Sequence, residues 1–388
     1  MSNLRDAFDL RSDVLYLNSG THSICPRSVL EAVTRYQREY ELNPTVGLLT
    51  AWSRIWEVQR SLARFLNADV GDLILRPNVT EVMNAFILGA PLAKGSEILV
   101  SDVEYGAIVN SCRFRAERDG LALRTFHVPL THDAAQIVDL VKGELRPNTS
   151  MLMFSHVTTG TGLTFPLVEI AKACRERGVL TAVDGAHAPG ALALDFGRLG
   201  DVDFYGGNLH KWMMGPKGTA FGWVAPRNQQ RLSALSAGWP TFECPDYFEG
   251  FSSGSRFAQR MAMLGCRDFA AFFAIDDMLS FWSTTGAARI RTRLAQLQAV
   301  AETEFAKLRW KSLSPPPGPL RGPMLTYEVP EPLQKFGAQL ITKIYDEHKV
   351  QVNVPRVQGR YAVRISPHIY NTEDEIVRAA NLLSTLKP

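Results

Sequence analysis

The sequence lacks any apolar run long enough to span a bilayer, and its first eleven residues are charged throughout, without the apolar centre of a secretion signal. It also has little net charge. The 42 Lys and Arg against 39 Asp and Glu leave +3, too small to point to nucleic acid or an anionic membrane surface, and no basic run interleaves with aromatics. Cysteine is scarce: Cys25, Cys112, Cys174, Cys244 and Cys266 are scattered without a Cys-x-x-Cys pair, and five is an odd number for a disulfide framework. These absences lead us to expect a reduced, cytoplasmic protein with no membrane segment, no nucleic-acid partner and no structural metal site.

What is present is ordinary globular composition at a length that favours two domains: 388 residues, 46% hydrophobic and 21% charged. Short apolar runs at 73–75, 97–100, 123–128, 151–154, 180–183, 202–205 and 220–224 read as strands. Helical patterns at 81–88, 108–118, 133–145 and 168–177 separate them, after helices beginning at Ser28 and over 51–66. Such alternation predicts a three-layer α/β domain with a mostly parallel seven-stranded sheet. Ligands collect at the carboxyl ends of strands in that architecture, so the chemistry is expected just after each one.

Those segments hold Asn78-Val79-Thr80-Glu81, where Thr80 can cap a helix whose free N–H groups suit phosphate. They also hold Glu104-Tyr105-Gly106-Ala107, His156 with Thr159, Asp184-Gly185-Ala186-His187, and Asn208-Leu209-His210-Lys211. Singly, most have a bland reading: a cap, a packed ring, hydrogen-bonded core histidines, a surface lysine. A carboxylate at the end of an apolar strand is different, because burying it unpaired is costly. Asp184, a candidate Schiff-base nucleophile in Lys211, a phosphate-type helix start and the stacking ring of Tyr105 are together what pyridoxal phosphate requires.

The run from Asp184-Gly185-Ala186-His187 through His210-Lys211 to Gly215-Pro216-Lys217-Gly218 resembles the signature of the class V aminotransferases, which are fold-type I pyridoxal-phosphate enzymes. Tyr16-Leu17-Asn18, Asn78-Val79-Thr80-Glu81, Glu104-Tyr105 and Val363-Arg364-Ile365-Ser366-Pro367-His368 add to the likeness along nearly the whole chain. The wording looks closest to the branch of isopenicillin N epimerase and the cysteine or cystine C–S lyases. The resemblance implies an N-terminal arm (1–27), a large cofactor-binding domain (28–262) and a smaller C-terminal α/β domain (263–388) in a homodimer. It implies that Lys211 and Asp184 are catalytic, Asp184 facing the ring nitrogen. It further implies that Tyr105 stacks on the ring, that His187 and Thr159 face its hydroxyl, and that Val79, Thr80, Asn208 and His210 hold the phosphate. Arg364, with Asn18, would clamp the carboxylate of an amino-acid substrate. Cys266 stands where the family has a threonine that reaches the partner's phosphate.

The reaction expected is C–S β-lysis or epimerisation, with transamination as the alternative. A cysteine desulfurase of the usual kind needs a cysteine shortly before its carboxylate-binding arginine, and 352–361 contains none. Arg27, Arg356, Arg360 and His22 are candidates for recognising an acidic tail, although each also reads as an ordinary surface residue.

Overall fold

The computed structural model describes residues 4–130, 133–242 and 254–387. Its strands in chain order are β1 (Leu15–Tyr16), β2 (Leu73–Arg76), β3 (Glu97–Ser101), β4 (Ala122–Phe126), β5 (Thr149–Ser155) and β6 (Leu180–Asp184). They continue as β7 (Phe204–Asn208), β8 (Ala220–Val224), β9 (Leu325–Glu328), β10 (Val350–Gln351), β11 (Arg356–Val357) and β12 (Arg360–Ile365).

The large sheet has seven strands in the order β2-β8-β7-β6-β5-β3-β4, parallel except for β8, which runs against both neighbours. Its central strands are buried on both faces, which explains why they read as short continuous apolar runs. Along β3 and β5, Leu99 and Leu152 enter one core while Ile98, Val100, Met151 and Met153 enter the core on the opposite face. That alternation at period two builds the three layers. The seven expected strands are all found; the sixth lies two to three residues later than its apolar run, since β7 ends at Asn208 rather than Tyr205. Two glycines in β7 hide its far half from apolar pattern reading. Gly207 is required there, because a Cβ would stand 2.4 Å from the Phe221 ring.

Three helical expectations change. The helix expected from residue 51 begins at Pro44, because Asn43 caps it through the Val46 N–H and proline suits the first position. The apolar pattern from Arg267 to Trp282, which by itself reads as a single helix, is split into two, Ala270–Phe273 and Ile275–Thr285. The cap after β2 belongs to Asn78, whose side chain accepts from the Glu81 N–H at 2.9 Å, so Thr80 lies within the first turn of Val79–Gly89.

A separate sheet of order β11-β12-β9 has its own apolar cluster, joined by β1, which pairs in parallel with β10. An isolated bridge between Asn18 and Ser366 continues this stitching and sets Asn18 beside the end of β12.

The start of β7 is secured by Asp203, which is 2% exposed. Its carboxylate accepts from the Thr181 N–H at 2.9 Å, from Asn228 Nδ2 at 2.7 Å and from Arg227 Nη2 at 2.8 Å. Asp203→Ala is expected to destabilise the fold by about 3 kcal/mol, because it strands a guanidinium and an amide. Chemical denaturation of the cofactor-free protein checks this, and a loss below about 1 kcal/mol would show the cluster to be dispensable.

Candidate active site

The strand ends converge on a cavity of about 380 Å³. The large sheet contributes Asn78, Val79 and Thr80 after β2, Tyr105 after β3, Ser155 and Thr159 at and after β5, Asp184 and His187 at and after β6, and Asn208, His210 and Lys211 at and after β7. The opposite wall is Gly20, Thr21 and His22 from the N-terminal segment with Asn353 and Arg364 from the C-terminal sheet. All the expected site residues except Asn18 and Cys266 therefore line one space; Asn18 stands directly behind Arg364.

Asp184 closes β6 at 4% exposure. Burial raises its proton affinity; the Ala186 N–H, donating to Oδ1 at 2.9 Å, and the charge of Lys211 work against that rise. Lys211 shows the converse. Burial lowers its ammonium from the ordinary 10.5 to about 8, Arg364 lowers it too, and Asp184 opposes them. Its turn is fixed by Gly190, which at φ +86° lies where a Cβ would stand 2.5 Å from the Trp212 carbonyl oxygen.

His187 Nε2 lies 3.2 Å from both Lys211 Nζ and Thr159 Oγ1, while Nδ1 faces the indole Nε1 of Trp212 at 3.4 Å. Indole nitrogen is a donor only, so Nδ1 accepts and the proton of the neutral ring sits on Nε2. Burial, then Lys211 and Arg364, hold this imidazole well below its usual range, so it stays neutral. It therefore donates into the site.

Arg364, on β12, is 1% exposed. Its Nη1 donates to the carbonyl and hydroxyl oxygens of Thr159, each at 2.9 Å, and Nη2 donates to Thr21 Oγ1 at 3.1 Å and Asn18 Oδ1 at 3.3 Å. Burial lowers it to about 10, which leaves it cationic. Among the described residues no carboxylate pairs with it, so an anion entering the cavity would meet an unneutralised charge.

The Val79 N–H is donated to Asn208 Oδ1 at 3.1 Å, which ties the helix start to the end of β7. His210 is buried, and desolvation followed by His22, Lys211 and Lys217 lowers it to about 3; its Nδ1 lacks a hydrogen-bond partner among the described residues. Tyr105 is 50% exposed, its ring open at the cavity wall. Cys266 is exposed and does not line the cavity of its own chain.

Thr21, Asn353 and Ser155 carried no sequence signal. Thr21 reaches Arg364 across 343 residues of chain, and Asn353 is placed by backbone hydrogen bonds with Arg364. Of the acidic-tail candidates, only His22 reaches the cavity; Arg27 pairs with Asp9, Arg360 with Glu328 and Glu331, and Arg356 donates to the Gly359 carbonyl. His156 is the core histidine of the bland reading, its Nδ1 2.8 Å from the Tyr205 hydroxyl.

The donor set fits pyridoxal phosphate. A buried carboxylate can face a ring nitrogen, a desolvated amine can take the aldehyde, an open aromatic face can stack, and a helix start with an unpartnered buried imidazole beside it can receive a dianion.

Comparisons agree with this chemistry. The class V aminotransferase family model matches residues 15–378. Isopenicillin N epimerase of Streptomyces clavuligerus is 33% identical over 381 residues, covering 96% of this chain and 95% of that one. Its namesake from Amycolatopsis lactamdurans is 32% identical over 401 residues, covering 99% and 98%. Among solved structures, a C-DES variant with glycine covalently linked to its pyridoxal-phosphate cofactor superposes with a TM-score of 0.89 at 22% identity, covering 100% of each chain. The cystine C–S lyase C-DES in complex with cysteine persulfide superposes at 0.86 and 23% identity, covering 97% and 99%. At those identities the likeness speaks for the fold, while the family match and the full-length relatives speak for descent: this chain belongs to the class V aminotransferase family and is a pyridoxal-phosphate-dependent enzyme.

Proposed function

We propose that the protein takes the α-proton from an amino acid and returns it, as an epimerase of the isopenicillin N type. The observation that carries the proton removal is the pairing, in one cavity, of an amine held near neutrality with a buried arginine that pairs with no carboxylate among the described residues, and the full-length epimerase relatives favour return of the proton. When bound, pyridoxal phosphate supplies an electron sink for the pair left at the α-carbon. The protein supplies the rest. Arg364 receives the substrate carboxylate, whose oxygens take the place of the Thr159 and Thr21 acceptors on the guanidinium, and so fixes the α-carbon relative to Lys211. Lys211 Nζ then takes the proton, with a proton affinity matched to that task. Asp184 stands in a poorly solvated place, where burial raises its proton affinity, the Ala186 N–H and Lys211 oppose that rise, and a carboxylate charge acts at high strength. His187, locked as the Nε2–H form by Trp212, and the Thr159 hydroxyl offer hydrogen bonds beside Lys211.

Transfer of sulfur to an enzyme cysteine is disfavoured. Cys25, Cys112 and Cys174 are buried away from the cavity, with desolvation pushing their thiols to about 11, 12 and 12. Cys244 lies outside the described residues. C–S β-lysis is the second reading, since it begins with the same proton removal at the same atoms. We extend the reading to a homodimer in which the exposed Cys266 loop serves the partner's site.

One experiment separates the outcomes. Incubating the holoenzyme in D2O with a panel of L- and D-amino acids is expected to place deuterium at the α-carbon without net consumption, and to interconvert the two forms. Pyruvate and ammonia from cystine would instead establish the lyase, and turnover that depends on added keto acid the aminotransferase. Absence of α-deuterium with every amino acid would sink all three.

A further inference from the structure

Glu104 is a partly buried acid that none of the steps above uses. It immediately precedes Tyr105, on the turn between β3 and the helix Gly106–Asp119. Its Oε1 accepts from Ser101 Oγ at 2.5 Å, at the end of β3, and its Oε2 accepts from Ser155 Oγ, at the end of β5. These are neighbouring strands of the sheet, so one carboxyl bridges two strand ends directly beneath the cavity. The outer end of the same turn is pinned by Asp102, whose Oδ1 accepts from the Val128 N–H at 2.9 Å.

The ring of Tyr105 has no such support. It is half-exposed, and a ring without close packing takes its direction from the backbone that carries it. We propose that Glu104 is a positioning residue of the cofactor site, whose serine clamp fixes the turn and thereby holds the Tyr105 ring over the cavity.

The clamp tolerates a change of charge. Burial raises the Glu104 carboxyl to about 7; the two serine hydroxyls oppose the rise, and Asp184 adds to it. Glu104 in turn pushes the Cys112 thiol on the helix Gly106–Asp119 up further. Serine hydroxyls donate to a carboxylate and can accept from a carboxylic acid, so both forms stay bridged. Glutamine should bridge as well, accepting from one serine and donating to the other. Alanine cannot.

The inference rests on the pyridoxal-phosphate reading of the cavity, so the cofactor content of the unaltered holoenzyme is measured first, by visible absorbance and by mass of the released group. The visible circular dichroism of the bound cofactor and its rate of release into a trap are then compared in Glu104→Ala and Glu104→Gln. Glu104→Ala is expected to release cofactor about threefold to tenfold faster, the size of effect that loss of an oriented ring contact produces, and to change the dichroic band. Glu104→Gln is expected to match the unaltered protein in both. Should Glu104→Ala fail to fold, Ser101→Ala removes half of the clamp and should give a smaller increase in the same direction.

Release from the folded alanine variant, or failing that from Ser101→Ala, at the unaltered rate with an unchanged band would overturn the proposal. So would a glutamine variant as fast as alanine, because charge and not the bridge would then be responsible. An unaltered protein that holds no pyridoxal phosphate would overturn the cavity reading, and the proposal with it.

Discussion

Lys211→Ala is expected to lower turnover by roughly 10⁴-fold or more, because a positioned acid–base group alone contributes 10²–10⁴-fold and, on the proposed reading, this lysine is also the covalent anchor. The cavity makes the amine exceptional before any ligand arrives. With its proton affinity lowered from 10.5 to about 8, the neutral fraction at pH 7 is near one tenth. That is roughly 300-fold more than an ordinary lysine has. The sign follows from desolvation: burial penalises the ammonium, so the reactive neutral form gains. Uptake of pyridoxal phosphate by the cofactor-free protein is therefore expected to accelerate with pH up to about 8 and to level off above it, where an exposed lysine would keep gaining to beyond 10. Stopped-flow absorbance measures this profile, and single-turnover deuterium exchange measures the loss in the variant. A variant that keeps even a hundredth of the exchange rate would remove Lys211 from the proton transfer.

Arg364→Met is expected to raise KM by roughly 10²–10⁴-fold while changing kcat far less. The reasoning is that two charge-assisted hydrogen bonds to a carboxylate are each worth about 1.5–3 kcal/mol, and every 1.4 kcal/mol is tenfold. The loss falls on binding, since the carboxylate does not react. Arg364→Lys should recover only part, because a single ammonium cannot reproduce the fork that Thr159, Asn18 and Thr21 hold in place. Steady-state kinetics on whichever amino acid proves active will separate KM from kcat. A rise below tenfold would mean that the carboxylate is bound elsewhere.

Much of this site was legible because buried parallel strands leave a strong local mark. Asp184 stands out as a carboxylate ending an apolar run, and Lys211 follows the next run by a few residues. Both signals are local, and both side chains line the cavity. Capping was less legible. Asn78 and Thr80 are both good capping residues two positions apart, and the choice depends on which backbone turn tertiary packing imposes. The break between the helices Ala270–Phe273 and Ile275–Thr285 was hidden for a different reason: it involves no glycine or proline, and the apolar pattern continues across it.

By itself the sequence determined the layered α/β architecture, the acid and the amine at adjacent strand ends, and the absence of a cysteine before Arg364, because each is written within a few residues. Only the tertiary structure decided that Arg364 is buried without a countercharge among the described residues, that Trp212 sets the protonated nitrogen of His187, and that Glu104 bridges two strand ends under Tyr105. Those facts depend on contacts between segments far apart in the chain, and on desolvation, which no local pattern records.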